Sequence, residues 1–142
     1  HESRVITMND EINNCVLKLE HLLFDELHFE RCGFQNENPV HYRFGYNFEM
    51  RGTAELIAHI LIEGKKDDEY NVTVRASGYF ILNEESHYDR LMLRQNAAAI
   101  VFPYMRSQLS LLTSQPEVEP LVLQPFNIAQ MVKESLEQEE QK

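Results

Sequence analysis

Between residues 40 and 51 the chain alternates with a strict period of two. Val40, Tyr42, Phe44, Tyr46, Phe48 and Met50 fall on one side, and His41, Arg43, Asn47, Glu49 and Arg51 on the other, with Gly45 among the polar set. A helix would scatter both sets around its circumference. Only a β-strand gathers the apolar set onto one face. The neighbouring segments must therefore supply a sheet that receives this strand.

They read as strands too. From Cys15 the odd positions Leu17, Leu19, Leu23, Leu27 and Phe29 are apolar, interrupted by His21 and Asp25. Lys18, Glu20, Glu26, His28 and Glu30 fall between them, together with Leu22 and Phe24. One long strand with an odd-numbered buried face is expected. The Asn-rich stretch 33–39 ends in Pro39 and reads as a loop. Residues 54–62 contain the helix formers Ala54, Glu55, Leu56 and Ala58. They are followed, however, by the turn-like Gly64-Lys65-Lys66-Asp67-Asp68 and a further alternating run at 70–82. Those neighbours decide for a strand, and four consecutive strands with short turns imply an antiparallel sheet.

The period then changes. Leu91, Ile100, Val101, Tyr104, Met105, Leu109 and Leu112 recur at helical spacing, so a helix is expected from about His87 to Leu112, with a break or kink just before Pro103. Residues 116–126 form a connector holding Pro116, Pro120 and Pro125. A last helix is announced by an Asn127 cap, Gln130 at its third position and Phe126 poised to pack on Met131. Its stripe is Ile128, Val132 and Leu136. The fold class is α+β, a four-stranded antiparallel sheet followed by two helices on one side. Residues 15–136 read as one domain and 137–142 as a polar acidic tail. Residues 1–14 read as a flexible N-terminal segment or an appended remnant, Met8 being a candidate start.

Charge narrows the function. Among 142 residues, 23 are acidic and 13 basic, a formal net charge of −10. Nucleic-acid binding needs a basic footprint, so it is not expected; cationic partners are favoured. Cys15 and Cys32 form no Cys-x-x-Cys pair, which fits a reduced, cytoplasmic chain. The longest apolar run, 97–103, is too short to insert in a bilayer, and the first residues are too polar for a signal peptide.

No catalytic chemistry stands out. The histidines form no helical pair with a carboxylate or cysteine, and neither cysteine has a nucleophile's local signature. Glycine-rich phosphate loops and the Gly-x-Ser-x-Gly elbow are missing. Asn71-Val72-Thr73 matches a glycosylation acceptor by accident of a mid-strand position. The pairs Asp67-Asp68 and Glu84-Glu85 read as solvated turns. An enzyme is not expected, nor a metal or cofactor; the work is done by binding energy. The 42–50 aromatic face either packs beneath the helices or stays partly open as an apolar groove, and different rows can do each.

Three local motifs carry a resemblance. Val101-Phe102-Pro103-Tyr104-Met105-Arg106 is similar to Leu-Phe-Pro-Tyr-Ala-Arg, and Leu121-Val122-Leu123-Gln124-Pro125-Phe126-Asn127 to Leu-Asn-Leu-Ala-Pro-Val-Asn, of the SecB family of export chaperones. Gly78-Tyr79-Phe80 resembles the end of that family's fourth strand, and Leu27-His28-Phe29-Glu30 its first. The resemblance spans roughly 23–136. It implies ATP-independent holding of unfolded preproteins in apolar grooves and a homotetramer, a dimer of dimers built on the first strand and first helix. The exposed edge of the first strand and the small Ala97-Ala98-Ala99 run fit such an assembly. The client groove expected from the resemblance and the aromatic face is Leu23, Leu27, Tyr42, Phe44, Tyr46, Phe48, Met105 and Leu109. The family hands clients to the SecA motor, whose basic zinc domain docks on acidic residues of the sheet; Glu26 and Glu30 match two of these. Asn71 and Thr73 stand where the family has an apolar and an acidic residue. The alternative reading is a dedicated partner of a single client, for example an antitoxin, with no export role.

Overall fold

Alternation along each strand becomes registered rows across a sheet. The computed structural model describes residues 17–83, 89–124 and 128–140. The N-terminal segment, Cys15, the Glu84-Glu85 pair, His87, Phe126 and the Asn127 cap lie outside these residues. Four strands, β1 (Leu17–Arg31), β2 (Val40–Arg51), β3 (Glu55–Lys66) and β4 (Tyr70–Leu82), precede two helices, α1 (Arg90–Leu112) and α2 (Ile128–Glu140). The sheet order is β1-β4-β3-β2, and every pairing is antiparallel. The last three strands thus form a meander, and β1 lies alongside β4, leaving β1 and β2 as the edges among the described residues.

One face of this sheet is the core. The even positions of β2, β3 and β4 line up in rows such as Phe44–Ile62–Val74 and Tyr46–Ile60–Ala76. Ile60, Ile62, Val74, Ala76 and Phe80 are buried there with Leu93, Val101, Phe102 and Met105 of α1. The helix passes close over Gly78, which pairs with Ala58. A Cβ built on Gly78 would lie 2.7 Å from Val101 Cγ2, so only glycine fits beneath the helix at this point. Ala97 and Ala98 are buried in the core of the same chain, and only Ala99 of the alanine run is exposed.

β1 departs from a simple period of two. Its register with β4 shifts between Leu19 and His21 and again between Phe24 and Glu26. Each shift adds a residue to one strand and turns the following side chains to the other face. The core-side set is therefore Leu17, Leu19, Leu22, Phe24, Leu27 and Phe29, partnered by Leu82, Phe80, Gly78, Ala76, Val74 and Val72. The odd-face reading is right at both ends and wrong in the middle. Leu22 and Phe24 face the core, and Leu23 does not.

Two other boundaries move. β3 continues through Gly64 to Lys66, so the turn is Asp67 to Glu69, with Asp68 at a φ of 61°. Gly64 sits inside the strand, where an added Cβ would lie 3.0 Å from Val72 Cγ1. α1 starts at Arg90, capped by Asp89, whose side chain accepts a hydrogen bond from the Leu91 amide. It runs unbroken through Pro103. Pro103 takes its missing donor from Ala99, and both residues are exposed, so solvent can reach the carbonyl left without its helical partner. In α2, Ile128, Val132 and Leu136 are buried as expected, while the helix extends past Glu137 to Glu140.

The end of the sheet nearest Tyr70 is tied together by a buried ion pair. Glu69 Oε1 accepts from Lys66 Nζ at 2.7 Å and from the Asn36 amide at 2.9 Å. The Glu69 carbonyl accepts from the amides of Cys32 and Gly33. Burial pushes the Glu69 carboxyl up. The Lys66 hydrogen bond, the Asn36 amide and the charges of Lys66 and Arg31 outweigh it, and hold the group below its ordinary value. The loop before β2 is thereby fastened to the β3–β4 turn. Arg31 Nη2 adds a 2.6 Å hydrogen bond to the Pro116 carbonyl, tying in the connector between the helices.

Candidate functional site

Among the described residues β2 is an edge strand that pairs only with β3, and none of them pairs with the other side of its backbone. Its core-side row is aromatic. Phe44 and Tyr46 have centroids 6.2 Å apart, and Tyr46 and Phe48 5.5 Å apart. Phe44 meets Phe102 of α1 edge-on at 6.5 Å, and the Tyr46 hydroxyl donates to Ser135 Oγ of α2. The Arg94 guanidinium lies 5.9 Å from the Phe48 centroid. The helices thus cover this row without sealing it. Phe44, Tyr46 and Phe48 are half-buried, and Tyr42 is 45% exposed. Partial burial raises the Tyr42 phenol above its ordinary value.

The other groove residues do not join this row. Met105 and Leu109 are each 0% exposed, because their α1 positions point into the core between helix and sheet. They are enclosed in the core and present nothing to a ligand. Leu27 faces the helix side and is 44% exposed, but on β1. Three strand spacings, about 14 Å, separate it from β2. Leu23 is 51% exposed on the opposite face, turned there by the first bulge and opposite Ser77. Tyr42, Phe44, Tyr46 and Phe48 alone form a contiguous surface.

The opposite face of the sheet is polar at its rim. Glu26, His28 and Glu30 of β1 oppose Arg75, Thr73 and Asn71 of β4, so Glu26 and Glu30 do share a face with His28 between them. Glu26 is not free, since Arg75 Nη1 stands 3.7 Å from its Oε1. His28 Nε2 lies 3.5 Å from Glu30 Oε2. Sequence reading missed Arg75 because the pairing depends on a register set by the second bulge.

Further along this face is a polar chain. Ser77 Oγ donates to Asp25 Oδ2 at 2.5 Å and lies 2.8 Å from His59 Nδ1. His59 Nε2 stands 3.6 Å from Glu49 Oε2. Asp25 reaches Ser77 because it occupies the bulge. The serine proton goes to the carboxylate, and the histidine does not stand between the two. This order satisfies the buried Ser77 hydroxyl. Among the described residues, no three His, Cys, Asp or Glu side chains gather as a metal-binding group. No helix among them is long and apolar enough to cross a membrane.

Residues 43–139 match the family model for SecB, the preprotein translocase subunit SecB. An uncharacterized protein of Methanocaldococcus jannaschii, MJ0357, is 32% identical over 62 residues, covering 43% of this chain and 40% of that protein. The chain thus spans less than half the length of that relative. Among solved structures, the Mycobacterium tuberculosis Rv1957 SecB-like chaperone, in complex with a peptide from the Rv1956 HigA1 antitoxin, is similar. The TM-score is 0.62 at 12% identity, over 78% of this chain and 90% of that one. A protein of unknown function from Streptococcus agalactiae gives a TM-score of 0.47 at 13% identity, over 78% and 97% of the two chains.

Proposed function

This chain belongs to the SecB family, and from that premise we propose that it holds unfolded or non-native polypeptides along the β2 edge, without nucleotide. The observation that carries the reading is an edge strand with no second strand partner among the described residues and an aromatic row left half-covered. An extended segment laid against that edge would satisfy its own amides and carbonyls. Its alternate side chains would meet Tyr42, Phe44, Tyr46 and Phe48. Aromatic rings offer large contact area to side chains of many shapes, which suits clients without a common sequence. The antitoxin peptide held by the solved Mycobacterium tuberculosis relative supports polypeptide binding as the activity. The proposal includes a cytoplasmic setting, no catalysis and assembly into a homotetramer through the β1 edge and α1. The tests are aggregation of a reduced, unfolded client followed by light scattering, with and without the protein, and the chain's own mass in solution. No suppression at several-fold excess refutes the holding role, and a stable monomer at micromolar concentration refutes the assembly.

One observation favours a second reading, a dedicated partner of a single client with no export role. The Glu26 carboxylate that would attract a basic SecA domain is paired with Arg75. Thr73, where the family has acid, adds no charge beside it. Affinity capture of clients with and without purified SecA separates the two. Export predicts a bound preprotein released to SecA; guarding predicts one client and no SecA dependence.

A further inference from the structure

The aromatic row does not stop at Phe48. Met50 continues it to the β2–β3 turn, where Met50, Leu56 and Leu93 wall a cavity of about 280 Å³. Arg90 and Arg94 supply its charged lining. The position of Arg90 is electrostatically unfavourable as it stands. α1 begins at Arg90, with no acidic residue in its first turn, so Arg90 stands at the positive end of the helix dipole, and Arg94 follows one turn on, beside the Phe48 ring. The nearest carboxylate in sequence, Asp89, caps the helix and accepts from the Leu91 amide at 3.0 Å. Arg43, Arg51 and Arg75 pair with Glu63, Glu49 and Glu26, whereas among the described residues Arg90 and Arg94 make no ion pair. In a chain of net charge −10, this is an electropositive spot beside an apolar hole. A local stability rule broken in this way, at the end of a binding row, points to an anionic occupant.

We infer that this cavity captures an acidic side chain, with an apolar one two positions away, on a polypeptide segment running along β2. The inference rests on the β2-edge reading and deepens it. Residues two apart in an extended segment share a face. The apolar residue would enter between Met50, Leu56 and Leu93, while the Asp or Glu carboxylate would meet the two guanidinium groups. The site would thus give an otherwise sequence-tolerant groove a preferred register and a preference for clients carrying an apolar-x-acidic step.

Fluorescence anisotropy with three labelled peptides tests this. The first is an apolar extended peptide containing one apolar-x-Glu step, with an amidated C-terminus. The second replaces that Glu by Gln, and the third is the Gln peptide with a free C-terminal carboxylate. The wild-type chain is expected to bind the Glu peptide about tenfold tighter than the Gln peptide at low salt, with the gap narrowing as salt rises. The double variant Arg90→Gln/Arg94→Gln is expected to bind the two alike, and Arg90→Gln alone to close part of the gap. Equal affinities for the wild type overturn the inference, as does a preference that survives in the double variant. A gain confined to the free C-terminal carboxylate overturns the assignment to a side chain. If the wild type binds no peptide at all, the β2-edge reading fails and this inference falls with it; binding of all three without preference sinks this inference alone.

Discussion

Glutamine at position 69 should destabilise the chain far more than its small chemical change implies. Glu69 is 1% exposed and its partner Lys66 11% exposed, with 2.7 Å between their charged atoms. Glu69→Gln keeps the shape and an acceptor for the Asn36 amide, but leaves the Lys66 ammonium without its counter-charge. Removing one member of a buried pair costs about 3–5 kcal/mol, because the other charge stays buried. Here the Asn36 carbonyl also accepts from Lys66, which moves the expectation to the lower end, about 3 kcal/mol. Lys66→Met in the Glu69→Gln background removes the lone charge and should recover about half of that loss. Urea unfolding at pH 7, followed by circular dichroism at fixed protein concentration, gives all the values needed. Acid adds a second signature. The folded Glu69 carboxyl sits below its ordinary value, so its contribution is fully present above the unfolded value of about 4.3 and is lost as pH falls through the folded one. Below about pH 5 the wild type should therefore lose stability more steeply than Glu69→Gln. A single variant within about 0.5 kcal/mol of wild type, or parallel pH curves, would refute this account of the joint.

Other substitutions probe other contacts. Gly78→Ala drives a Cβ to 2.7 Å from Val101 Cγ2 and should cost about 1–3 kcal/mol by overpacking, partly relieved by Val101→Ala; thermal unfolding reads both. Tyr46→Phe removes the hydrogen bond to Ser135 and should cost about 1 kcal/mol in the same assay, with no loss of helix content. A basic SecA tail should bind weakly or not at all by calorimetry, residual binding should vanish in Glu26→Lys, and Arg75→Leu should strengthen it by freeing Glu26. Tight, salt-insensitive binding unaffected by Glu26→Lys would show that the acidic patch lies elsewhere.

Much of this architecture is legible in the sequence for a simple reason. From Val40 to Arg51 nothing interrupts the alternation, so period two alone assigns face, strand and aromatic row. The same is true of β4, whose bounds are those read from its pattern. β1 is harder because a bulge is a backbone choice that leaves no residue signature at Glu20 or Asp25. That choice sends Leu23 away from the groove and brings Asp25 to Ser77. The helix pattern identified Met105 and Leu109 as apolar, but a helical stripe records only that a face is covered. Here the sheet of the same chain covers it, leaving none for a client. Arg75 against Glu26, and Arg90 and Arg94 beside the cavity at the β2–β3 turn, are meetings of distant segments. Sequence spacing carries no sign of them.

The central claim is that clients lie along the β2 edge, and backbone hydrogen exchange with a bound unfolded client tests it most directly. The account predicts new protection of amides within 40–51, weakened together with client affinity by Tyr42→Asp. Exposure singles out Tyr42 for that test because a charge there need not enter the core. The buried β4 amides should be unchanged. A client that binds while the β2 amides exchange as they do in the free protein, with affinity indifferent to Tyr42→Asp, would contradict the account.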